Sequence, residues 1–172
     1  LIKDKYDRDV LIDVLGSNLS RSKPNLASGF FYKAVQTLNN GGVIGCILPT
    51  SIFSFDSYQK LRNEIREMID LQLVAKLGNY AFENALTDVS IFVGKKPQSN
   101  NVPQIIWTNN EKGILPDVFR ELRRIQSNNE IASINKDFNI YTPRKFPIMS
   151  ENWKIVTQKE EEFIDELEIY VA

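Results

Sequence analysis

The chain has 172 residues, 42% hydrophobic and 25% charged, with 10 Phe, 6 Tyr and 2 Trp, which excludes a disordered polypeptide and suits one core or one domain with an appendage. A formal net charge of −1 leaves no basic excess for phosphate neutralisation, so any contact with nucleic acid must rely on local clusters or on other parts of a larger assembly. One cysteine and no histidine exclude an internal disulfide framework, a histidine triad and a Cys/His zinc site. No signal peptide and no apolar stretch of membrane length is present, which reads as a cytoplasmic protein. The first residue is Leu1 rather than Met, and both ends read as interior cuts of a longer polypeptide.

In chain order, a short helix is expected around Tyr6 to Leu15, followed by the polar loop Gly16 to Pro24. Asn25 then stands as an N-cap. Ala27, Phe30, Phe31, Ala34, Val35 and Leu38 follow at helical spacing, and Asn39-Asn40-Gly41-Gly42 stops the helix. The uninterrupted apolar run Val43-Ile44-Gly45-Cys46-Ile47-Leu48 predicts a central strand covered on both faces, with Cys46 a buried structural thiol rather than a nucleophile. Pro49-Thr50-Ser51 ends it. Asp56 caps a helix from about Ser57, with Tyr58, Leu61, Ile65, Met68 and Ile69 on one face.

Leu71 to Leu77 reads as a second strand, Gly78 to Ala85 as a loop, and Val89 to Val93 as a third strand. The short connection between them predicts antiparallel pairing. Pro103 to Trp107 follows as a further strand, and Pro116 opens a helix with Val118, Leu122 and Ile125 on one face. Residues 131–156 are strand or irregular, anchored by Phe138, Ile140, Tyr141 and Trp153. Thr157 and Glu160 form a capping box for a last helix with Phe163, Ile164 and Leu167 inward. The order helix, strand, helix, strand, strand implies an α/β fold with a mixed sheet.

Residues 25–96 carry a pattern made of several pieces: Asn25 to Ala34, then Leu38-Asn39-Asn40-Gly41-Gly42 leading into Val43 to Thr50. Leu61-Arg62 follows on a helix, and the stretch Ala81-Phe82-Glu83-Asn84-Ala85 leads into a strand ending at Lys95-Lys96. This combination resembles the C-terminal half of γ-class N6-adenine DNA methyltransferases of restriction-modification systems. The resemblance implies a Rossmann-like fold dependent on S-adenosylmethionine, with a seven-stranded mixed sheet containing one antiparallel strand, of which this chain supplies the last three strands. It implies that residues 1–97 belong to the catalytic domain and 98–172 to an extension leading towards a target-recognition domain. The implied activity is methyl transfer from S-adenosylmethionine to the amino group of a flipped adenine, without a metal. The implied partners are double-stranded DNA and a restriction or specificity subunit. The family's other half carries the glycine-rich cofactor loop, the acidic residue for the ribose and the Asn/Asp-Pro-Pro-Tyr/Phe motif. No Pro-Pro pair and no Gly-x-Gly occurs in this sequence, so no catalytic residue is assigned here and the chain alone is expected to be inactive.

The resemblance also assigns site residues, each with a plainer alternative. Phe82 matches the ring that stacks on the extruded base, because chemistry on a base requires it to leave the stack; otherwise it anchors a loop to the core. Phe30 matches a ring near the cofactor's adenine, or it belongs to the helix core with Phe31. Pro49 and Thr50 follow the first strand at its carboxyl end, where ligands gather in open α/β sheets, or they simply stop the strand. Thr87, beside Asp88, lines the pocket or closes a turn. Lys95, Lys96, Arg144 and Lys145 neutralise DNA phosphates or are ordinary surface charges. Two other functions compete: a related methyltransferase acting on protein glutamine or RNA, and a non-catalytic binding module with the same fold.

Overall fold

In a computed structural model of the chain, residues 9–13, 25–82, 87–99, 101–130, 132–143, 153 and 157–171 are described. Residues 9–13 are helical (α1), lying inside the expected first helix. Helix α2 spans Leu26–Thr37. Asn25 caps it as expected: its side chain accepts from the Ser28 amide at 2.8 Å, and Ser28 Oγ accepts from the Asn25 amide at 3.2 Å. This reciprocal box satisfies two otherwise orphaned donors and contributes about 1 kcal/mol. Gly29 gives α1 its seat on α2: a Cβ at that position would overlap the Leu11 side chain.

Strand β1 runs Val43–Pro49. The connection to the next helix differs from the sequence expectation. A one-turn helix α3 (Ser51–Ser54) and a 3-10 turn (Asp56–Tyr58) precede α4 (Gln59–Met68), whose N-cap position is Tyr58 rather than Asp56. Arg62 explains the extra turn. It is buried, and its Nη1 donates to the carbonyls of Ile52 at 3.0 Å and Phe55 at 2.8 Å, drawing the connection in against α4.

Strands β2 (Asp70–Gly78) and β3 (Val89–Lys95) pair antiparallel, as expected from the short loop. β3 also pairs antiparallel with β1, from Val43 opposite Lys95 to Pro49 opposite Val89. β1 and β2 are therefore parallel to each other, with β3 inserted between them. The sheet continues past residue 97 through β4 (Gln104–Thr108), parallel to β2, then β6 (Phe138–Tyr141) and β5 (Ser133–Ile134). The six-stranded order is β1-β3-β2-β4-β6-β5, and β6 is a second antiparallel strand beside the one expected.

Helices cover both faces of this α/β sheet. On one face Phe31 and Val35 of α2 and Leu61 and Ile65 of α4 pack on Leu71, Val74 and Phe92. On the other, Val118 and Ile125 of α5 (Leu115–Asn128) pack on Ala75, Ile106 and Ile140. Phe92 lies at the centre of an aromatic group, edge-on to Phe31 at 4.8 Å and stacked on Phe53 at 6.3 Å and Trp153 at 6.2 Å. Trp153 is buried, and its amide donates to the Phe53 carbonyl at 2.8 Å, so the chain returns to the first face after β6. Cys46 is partly buried, and burial raises its thiol pKa, in keeping with a structural thiol.

Two further expectations fail. β1 is not a central strand: it stands at the sheet edge, with Val43 61% and Ile47 52% exposed on the face that α5 leaves open. An apolar run reports what a strand can bury, not what is present to bury it. Helix α6 (Gln158–Val171) forms, with Thr157 and Glu160 hydrogen-bonded at 2.7 and 2.9 Å, but Phe163, Ile164 and Leu167 are exposed rather than inward. Capping chemistry sets where a helix starts, not what covers it. Among the described residues no helix is long and apolar enough to cross a membrane.

Phe92→Ala removes the ring shared by α2, α3 and Trp153. It is expected to destabilise the fold by about 3–5 kcal/mol, read as a lower midpoint in chemical denaturation. A loss below about 1 kcal/mol, the range of a peripheral contact, would show that this aromatic group does not hold the first face.

Candidate functional site

The carboxyl ends of the parallel strands β1 and β2 lie on one rim of the sheet, and the segment joining β2 to β3 rises from that rim. β1 ends at Pro49, which pairs with Val89 at the start of β3; β2 ends at Gly78, which pairs with the same residue. Four of the expected site residues, Pro49, Thr50, Phe82 and Thr87, flank these strand ends in sequence. Phe30 lies in the first half of α2, and the start of that helix is tied towards the same rim by Asn25 Nδ2, which donates to the Tyr58 hydroxyl at 2.6 Å. Burial raises the Tyr58 phenol pKa, and the Asn25 contact partly offsets it.

Phe82 is 48% exposed in the turn after β2, and Phe30 is 74% exposed on α2, so neither is a core ring. Phe31, its neighbour, is buried against Phe92. Pro49 and Thr50 are half-buried and Thr87 is exposed. Tyr80 is a further exposed ring in the same turn as Phe82, which sequence reasoning did not single out. Only its place between two strands in a loop could have marked it.

Thr50 is held on three sides. Its amide donates to the Asp88 carbonyl at 3.0 Å, its hydroxyl to Asp88 Oδ1 at 3.1 Å, and the hydroxyl is 2.8 Å from Ser90 Oγ. Ser90 is fully buried in β3, whose other polar side chain is the exposed Lys95 at its far end. On the other side Gly78 has φ +81°, a left-handed conformation that glycine adopts at little cost. The following Asn79 amide donates to Asn110 Oδ1 at 2.7 Å. Neither Ser90 nor Asn110 stood out in the sequence, because a lone serine in a strand and an asparagine after one carry no spacing signal.

The structure does not bring the lysines to this rim. Lys95 is the last residue of β3 and Lys96 follows it, about 20 Å from the start of the strand at the ordinary rise per residue. There the Lys96 amide donates to the Gly42 carbonyl at 3.0 Å and closes the turn before β1. They are therefore not neighbours of Phe82 and Thr50. Arg144 and Lys145 lie outside the described residues. Among the described residues no group of three or more His, Cys, Asp or Glu is placed to hold a metal ion.

The rim thus offers exposed aromatic rings and hydroxyl and amide groups, with a rigid sheet beneath. The Asp88 carboxylate stands among them, bound by Thr50.

No family model and no curated protein matches this sequence. Solved structures do. The chain is similar to the type IIG restriction endonuclease BpuSI, with a TM-score of 0.56 and 15% identity over 95% of this chain and 18% of that one. It is also similar to a modification subunit assigned to a type I restriction enzyme of Vibrio vulnificus YJ016, with a TM-score of 0.50 and 14% identity over 75% of this chain and 30% of that one. At such identities the likeness is one of fold: a mixed α/β sheet similar to part of each of these two proteins. The chain spans less than a third of the length of either protein.

Arg62→Met keeps much of the side-chain volume but removes both carbonyl contacts that hold the turn after β1. Hydrogen bonds from a charged group contribute about 1.5–3 kcal/mol each. The variant is expected to melt lower by several degrees and to lose amide protection across residues 52–58, measured by hydrogen exchange. Unchanged protection there would show that the turn holds itself.

Proposed function

We propose that this chain is the C-terminal half of the catalytic domain of a site-specific DNA adenine-N6 methyltransferase of a restriction-modification system. Residues 1–97 would close the sheet and the base pocket, and 98–172 would lead towards target recognition. The γ-class pattern of residues 25–96 and the fold likeness support this reading. The observation that carries it is the order β1-β3-β2, with an antiparallel strand between two parallel ones and an exposed Phe82 beside their carboxyl ends. The uncovered apolar edge and face of β1 fit a sheet that continues into another part of the polypeptide.

In this reading Phe82 stacks on an adenine that has left the duplex, while Pro49, Thr50 and Thr87 line the pocket beneath it. An aromatic face contributes about 1–3 kcal/mol per stacked base. Phe30, exposed near the start of α2, offers a ring to the adenine of S-adenosylmethionine. The glycine-rich loop, the ribose carboxylate and the catalytic Asn/Asp-Pro-Pro-Tyr/Phe motif would come from the other half. When bound, S-adenosylmethionine supplies the methyl group; the residues of this chain supply the wall that holds the acceptor and excludes water. Lys95 and Lys96 enter the reading only as contacts remote from the pocket. Double-stranded DNA and a restriction or specificity subunit are the proposed partners, and the cytoplasm the proposed location.

The test uses the full-length protein and a single-stranded oligonucleotide carrying one 2-aminopurine among thymidines. Stacking on Phe82 should quench the probe, and Phe82→Ala should weaken binding roughly 5- to 150-fold while restoring fluorescence. Unchanged affinity and unchanged quenching would return Phe82 to a role in its own loop.

A further inference from the structure

We propose that Thr50 and Asn110 are positioning residues that pin the two ends of the β2–β3 connection from outside it and thereby set where Phe82 stands. The importance of Phe82 rests on the reading above; the pins themselves stand on separate geometry.

At the first end, Asn79 donates its amide to Asn110 Oδ1 at 2.7 Å, one residue after Gly78. The asparagine is pressed against that glycine: a Cβ at Gly78 would stand 2.6 Å from Asn110 Oδ1. Glycine is thus required twice over, by its positive φ and by this close approach. At the second end, Thr50 takes Asp88 by both backbone and side chain, at 3.0 and 3.1 Å. An ionised carboxylate only accepts, so the Thr50 proton goes to Asp88, and Ser90 must then donate to Thr50 Oγ1 across their 2.8 Å contact.

Ser90 shows that this tie is not incidental to packing. The residue is fully buried between Val89 and Ile91, where a hydroxyl is costly unless hydrogen-bonded. An alanine would serve the core at that point with no such cost. What the serine adds is a link from β3 through Thr50 to Asp88.

The two pins come from different strands. Thr50 directly follows β1, and Asn110 follows β4. Both are carried by the sheet, so the connection is referenced to a rigid frame at each end, as a positioned group requires. One consequence is that the segment after residue 97 contributes directly to the rim.

The experiment uses the full-length chain with Thr50→Val and Asn110→Ala, each paired with a conservative partner, Thr50→Ser or Asn110→Asp, that keeps the donor or the acceptor. Hydrogen exchange at residues 79–82 and 87–88 should accelerate in Thr50→Val and Asn110→Ala and return in the conservative pair. Affinity for the 2-aminopurine strand should fall roughly two- to twelvefold in the first pair, as expected for one lost hydrogen bond. The double variant Asn110→Ala/Phe82→Ala should bind no more weakly than Phe82→Ala, because Asn110 acts only through the placement of that ring. Exchange that stays unchanged overturns the pins. So does unchanged affinity in the pin variants when Phe82→Ala loses affinity. If exchange accelerates but Phe82→Ala itself binds normally, the base-stacking reading falls and the pins remain.

Discussion

The structure depends on one strand running the wrong way. β3 enters antiparallel between β1 and β2 and supplies the backbone partners of both, seven residue pairs on each side. Remove it and the two parallel strands have no common ladder, because neither touches the other. Its central residue, Phe92, also joins the two strands to the helices above them, packing on Phe31, Phe53 and Trp153. Antiparallel insertion fixes the position of the functional rim as well. A chain leaving the top of β2 and returning down β3 must turn at the carboxyl ends of the parallel strands, the edge where open α/β sheets bind their ligands.

The other organising feature is what lacks a cover. Among the described residues β1 has a backbone partner on one side only, and Val43 and Ile47 are exposed on the face opposite α2. Natural sheets guard such edges with charges, prolines or bulges; here the edge is apolar, and Pro49 stands only at its end. Phe163, Ile164 and Leu167 on α6 are a second uncovered set. In the proposed reading both are surfaces that other parts of a larger protein would cover.

Much of the fold was legible because it is written in local chemistry. Asn25 starts α2, Gly41-Gly42 make the turn before β1, the strand cores fell where apolar runs lay, and the short Gly78-to-Val89 connection implied the antiparallel pair. What stayed illegible depends on distant partners. Whether the apolar run of β1 is central or at an edge, and whether the stripe of α6 is inward, is decided by what lies opposite. Arg62 reaching Ile52 and Phe55 across a turn is another such case, since its effect was to lengthen a connection read as a simple cap at Asp56. In the site, Phe82 and Phe30 came from family resemblance, and Thr50 from its place at the carboxyl end of a strand, rather than from spacing. The pins at Ser90 and Asn110 were invisible because each is a single polar residue whose partner lies 31 or 40 positions away.

The central claim is that this sheet is completed across the free edge of β1. Hydrogen exchange of the β1 amides, compared between the full-length protein and residues 1–172 alone, tests it most directly. The amides of Val43–Leu48 that do not bond to β3 should exchange slowly in the full-length protein and quickly in the isolated segment. Equally fast exchange in both would mean that no strand joins that edge, and the reading of the chain as half of a larger catalytic sheet would fail.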